Sequence, residues 1–74
     1  MARLPRLSGR EVVRVFESLG WENTRQSSSH IILVRQGHQA TLSVPDHKEV
    51  AVGTLRSLIR SAGLTVEEFA QAAQ

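Results

Sequence analysis

Three histidines, a serine triplet and two arginines one helical turn apart are the residues of this sequence that could do chemistry. His30 follows Ser27-Ser28-Ser29 and precedes Ile31-Ile32-Leu33-Val34, so an imidazole stands between a polar turn and an apolar run. An imidazole at the mouth of a strand suits general acid–base work, because its unperturbed pKa of about 6.5 lies near working pH. The turn before it supplies hydroxyl and backbone N–H groups that suit a phosphate. His47 closes the stretch Val44-Pro45-Asp46-His47 and is a candidate second imidazole or phosphate contact. Against these readings stands the commoner fate of a lone histidine in a turn, which is simply to be solvated.

Other chemistries are less well supplied. His38 sits beside Gly37 in a hairpin tip and reads as surface. The three histidines lack the i, i+4 spacing of a helical zinc pair and the chain has no cysteine, so neither a metal site nor a disulfide is expected. The serines have no assignable acidic orienter for a nucleophilic triad. No phosphate-cradling glycine loop is present, and no cofactor is expected. Arg56 and Arg60 could hold phosphates from one helix face, or be no more than its solvated side. The three aromatic residues, Phe16, Trp21 and Phe69, all look like core, which leaves little for stacking on bases.

The elements that must position these groups are legible. Ser8-Gly9-Arg10-Glu11 reads as a capping box, and Val12, Phe16 and Leu19 form one apolar stripe, with Arg10, Arg14 and Glu17 opposite. This predicts a helix over Ser8 to Leu19, stopped by Gly20. Strands follow at Trp21 to Gln26, His30 to Arg35 and Gln39 to Val44, the second and third joined by Gln36-Gly37-His38 and the last ended by Pro45. A helix from about Val52 to Gly63 carries the stripe Leu55, Leu58, Ile59 and Ala62. Thr65-Val66-Glu67-Glu68 caps a short final helix reaching about Ala73. Ile31 to Val34 is apolar without alternation, so both faces of the middle strand are greasy and helices can cover only one. Either a partner chain covers the other, or it is an ordinary surface with a hydrophobe or two.

A chain of 74 residues makes one domain, here residues 1–74, with a marginal core. Hydrophobic residues are 41% of the sequence, too many for a disordered tail, and no stretch approaches membrane length. A soluble, cytoplasmic protein is expected. The net charge of +2 is uneven: residues 1–35 carry six Arg against three Glu, whereas the rest carries three basic against four acidic residues. Eight of the nine basic residues are Arg, the better fork for phosphates, which makes nucleic acid a plausible partner.

Taken in order, Ser29-His30, Val44-Pro45-Asp46-His47 and Gly53-Thr54-Leu55-Arg56-Ser57-Leu58-Ile59 resemble the HicA toxin family, small RNA-cleaving proteins of bacterial toxin–antitoxin pairs. The resemblance runs from about Leu7 to Phe69. The family pattern is Gly-Ser-His at the start of the second strand, and Ser28 stands here in place of its glycine. The resemblance implies an α+β fold of the double-stranded RNA-binding type, α-β-β-β-α-α, with a three-stranded antiparallel sheet and helices on one face. It further implies a metal-independent endoribonuclease that cuts messenger RNA, with His30 as general acid or base. Ser28, Ser29, His47, Arg56 and Arg60 are then the expected RNA contacts, and a HicB-type antitoxin the protein partner. The rival readings are an RNA-binding module of the same fold that does not cleave, and a protein-interaction domain using the apolar strand face.

Overall fold

The computed structural model describes residues 3–27 and 29–74; Ser28 lies outside the described residues. The elements run α1 (Gly9–Ser18), β1 (Glu22–Gln26), β2 (His30–Val34), β3 (Leu42–Pro45), α2 (Val52–Ser61) and α3 (Val66–Ala72). The fold is α+β in the expected order, with an antiparallel sheet ordered β1-β2-β3.

Both capping boxes form. The Ser8 hydroxyl accepts from the Glu11 N–H at 3.1 Å while the Glu11 carboxylate accepts from the Ser8 N–H at 2.9 Å. Thr65 and Glu68 repeat the arrangement at the start of α3. These bonds satisfy helix-end donors that have no partner within the helix. Gly20 ends α1 with a φ of +98°, a conformation a side chain would resist.

One face of the sheet is covered. Ile31 and Leu33 of β2 and Leu42 and Val44 of β3 are buried with Val12, Phe16, Leu55, Ile59 and Phe69 of the helices. Phe16 is the hub, with ring centroids 5.1 Å from Phe69 and 6.2 Å from Trp21 in an edge-on contact. Ile32 and Val34, facing the other way, remain half-buried. The second greasy face is therefore real but shallow.

The strand limits differ from the sequence expectation, for identifiable reasons. Trp21 precedes β1 as a core residue, and β2 stops at Val34. Gln39 to Thr41 do not join β3, because the chain folds His38 inward at this point. His38 is half-buried, not a surface tip: its ring packs 5.0 Å from that of Trp21 and its Nδ1 accepts from the Ala40 N–H at 3.2 Å. At the other end, Pro45 belongs to β3. Hydrogen-bonded pairs alternate with open ones along an antiparallel ladder. The Asp46 N–H bonds the Ser29 carbonyl at 2.9 Å, so the neighbouring pair His30–Pro45 is an open one. The Pro45 nitrogen thus faces away from β2, where its missing hydrogen costs nothing.

Candidate active site at the end of the sheet

His30 is the first residue of the central strand and is exposed. Its backbone is fixed from both sides of the turn. Its N–H donates to the Ser27 hydroxyl at 3.1 Å, and its carbonyl accepts from the Ser27 N–H at 2.9 Å and the Ser27 hydroxyl at 3.2 Å. The ring is held by Ser29, whose hydroxyl lies 3.0 Å from Nδ1. With Nδ1 occupied, Nε2 is the nitrogen left for other work. Across the sheet His30 faces Pro45 in an open pair, the geometry that brings side chains closest. The arrangement is a tethered but solvent-accessible imidazole.

The loop that follows β3 is anchored to the same place. The Asp46 carboxylate accepts from the Gln26 amide at 3.3 Å and lies 3.6 Å from the Arg10 guanidinium. The His47 carbonyl accepts from the Gly9 N–H at 2.9 Å, and the Val50 N–H donates to the Leu7 carbonyl at 2.8 Å. These contacts join the start of α1, the end of β1 and the β3–α2 loop behind His30. His47 is exposed and lies two residues beyond His30's partner Pro45. Asp46, Gln26 and Gly9 carry no chemical signal of their own in the sequence. The triplet Ser27-Ser28-Ser29 marks the turn, but spacing cannot tell which serine binds which atom.

Arg56 and Arg60 sit apart. They are exposed on α2 and line a groove of about 300 Å³ with Ile59, Leu64 and Val66. The start of α2 has Ala51 as its N-cap and no side-chain cap, so its first N–H groups are open to an anion. A second groove, of about 180 Å³, lies between α1 and β1 and is lined by Arg10, Val13, Arg14, Glu17, Asn23, Gln26 and Ile31. Among the described residues, no three His, Asp or Glu side chains converge as a metal-holding set.

The sequence of residues 9–64 matches the family described as HicA toxin of bacterial toxin-antitoxin. The chain belongs to the HicA toxin family. The matched span holds His30, His47, Arg56, Arg60 and the Asp46 anchor, and stops short of α3. That last helix still completes this chain's core, because Phe69 is fully buried against Phe16. Comparison with curated proteins and with solved structures returned no match. As a toxin of such a pair the protein has an antitoxin as its partner. No helix among the described residues is long and apolar enough to cross a membrane.

Proposed function

We propose that the protein is a metal-independent endoribonuclease that cuts messenger RNA, with His30 moving the proton. The observation that carries this reading is the bond between Ser29 and Nδ1, which leaves Nε2 free at an exposed strand end. In this reaction the ribose 2′-oxygen attacks the adjacent phosphorus and the P–O5′ bond breaks. One proton leaves the 2′-hydroxyl and one arrives on the 5′-oxygen. His30 Nε2 takes the first or gives the second, a contribution of about 10²–10⁴-fold for a positioned imidazole.

Ser29 acts on both alternatives. With Nδ1 donating to its hydroxyl, the neutral ring has an open Nε2 that takes a proton as base, and the imidazolium carries on Nε2 a proton that it gives as acid. Ser29 and the loop residue His47 flank the position where a phosphate would sit, and Ser28, of the same serine triplet, is a further RNA contact in this reading. Arg56 and Arg60, with the open start of α2, take a more distant phosphate of the same RNA. A HicB-type antitoxin covers His30 together with the outer sheet face.

His30→Ala tests the reading directly. The side chain is exposed, so the fold and melting temperature are expected to stay as they are while RNA cleavage and growth inhibition disappear. Wild-type cleavage is expected to persist in EDTA. Undiminished toxicity of a well-expressed His30→Ala protein rejects the assignment; retained RNA binding without any wild-type cleavage favours the non-cleaving module.

A further inference from the structure

The strand pairing assigns a role to a residue outside the motif segments. β1 and β2 pair in the order Glu22↔Val34, Asn23↔Leu33, Arg25↔Ile32 and Gln26↔Ile31, so Thr24 is an extra residue, a β-bulge. Its hydroxyl lies 3.3 Å from the Ile32 carbonyl, to which it donates. Residues paired across an antiparallel ladder share a face. Asn23 and Gln26 therefore lie on the helix-covered side with Leu33 and Ile31, and both do line the groove beside α1. Arg25 pairs with Ile32 and lies on the opposite, open side.

That side is the one His30 occupies, two residues before Ile32 on the same strand. Without the bulge, position 25 would pair with Ile31 and point beneath α1. The extra residue turns it over. Bulges of this kind re-aim side chains beside functional sites. Arg25 and His30 are then diagonal neighbours, with roughly 7–8 Å between such positions, a span that a guanidinium on a long stem can cross. Arg25 is exposed and has no ion-pair partner among the described residues. A cation able to fork two phosphate oxygens is therefore within reach of His30 on the same exposed face.

We propose that Arg25 is a catalytic residue: it holds the non-bridging oxygens of the scissile phosphate and stabilises the extra negative charge when the 2′-oxygen adds. This rests on the ribonuclease reading above. A structural role is the competing account, in which the Arg25 stem merely covers half-buried Ile32. The substitutions Arg25→Met and Arg25→Lys separate the two, since Met keeps an apolar stem and drops the charge, whereas Lys keeps the charge and loses the fork.

The experiment measures single-turnover cleavage of one RNA at saturating protein, the dissociation constant for that RNA, and thermal melts. Arg25→Met is expected to melt like wild type and to lose about 10²-fold in the saturated rate, the usual cost of removing one preorganised donor at a developing oxyanion. Arg25→Lys is expected to recover part of that loss. Arg25→Met cutting within about threefold of wild type overturns the proposal, as does a loss confined to affinity with the saturated rate unchanged. A wild-type protein that cuts no RNA overturns this proposal and the reading beneath it together, so the two failures are distinguishable.

Discussion

Gly9→Ala is the substitution for which propensity and structure give opposite signs. Alanine is the better helix former by up to about 1 kcal/mol, and Gly9 is the first residue of α1. By that argument the change stabilises. The backbone of the β3–α2 loop passes directly over this position, however. A Cβ here would collide with the Pro45 carbonyl oxygen and come within 3.0 Å of the Asp46 Cα. Both obstacles are main chain, so no rotamer change relieves them, and either α1 or the loop must move. The Gly9 N–H bond to the His47 carbonyl, 2.9 Å long, resists that movement. Overpacking of this kind costs typically about 1–3 kcal/mol. The net expectation is a loss of about 1–2 kcal/mol, which for a domain this small lowers the melting temperature by roughly 4–16 °C. Thermal unfolding followed by circular dichroism measures it. Cleavage activity at a temperature where the variant is still folded is expected to fall as well, because Pro45 and Asp46 pair with His30 and Ser29. A melting temperature equal to or above wild type would show that the close approach of α1 to this loop is not maintained, and the reasoning fails.

Two further perturbations address the periphery of the site and the first helix. Arg56→Ala combined with Arg60→Ala is expected to weaken RNA binding and flatten its dependence on salt concentration, since each lost phosphate contact releases fewer counterions; an unchanged slope means that this face of α2 does not meet RNA. The Ser8 N–H and, less strongly, the Ser8 hydroxyl hold the Glu11 carboxyl below its usual value of 4.5. A folded-state pKa below the unfolded one stabilises above the unfolded value and is lost as pH falls through the folded one. Melting temperature is therefore expected to decline below about pH 4.5, less so in Glu11→Gln, which keeps an acceptor and cannot titrate there. Identical acid limbs for the two proteins would remove Glu11 from the account.

How far the sequence reveals this molecule depends on whether a local rule governs each part. Capping boxes and apolar stripes are local, and α1, α2 and α3 could be read to within a residue or two. Strand limits depend on the partner strand. Gln39 to Thr41 alternate acceptably for a strand, yet in this register Val34, the last residue of β2, already falls opposite Thr41 and His38 is drawn onto Trp21, so Gln39 and Ala40 have no β2 residue opposite them. The bulge is the sharper case. Glu22-Asn23-Thr24-Arg25-Gln26 is polar throughout and exposed throughout, so no hydrophobic phase marks which residues face the core. Only pairing with Ile31 to Val34, where the phase is clear, shows that Arg25 has been turned outward.

The same strand explains why an apolar run without alternation suits a toxin that must be held in check. Ile31 and Leu33 fill the core, while Ile32 and Val34 stay half-buried on the open face. His30 lies on that open face, about 7 Å along the strand from Ile32 at the usual rise per residue. No helix among the described residues covers positions 32 and 34, so hydrophobes there are only half-buried in the isolated fold. A protein that buries them gains apolar contact worth about 25 cal/mol for each Å² removed from water. Such a protein docks on the same face of the sheet that carries His30 and Arg25. Affinity for the open face and occlusion of the imidazole are thus coupled by strand geometry, and no conformational change in the sheet is needed to connect them.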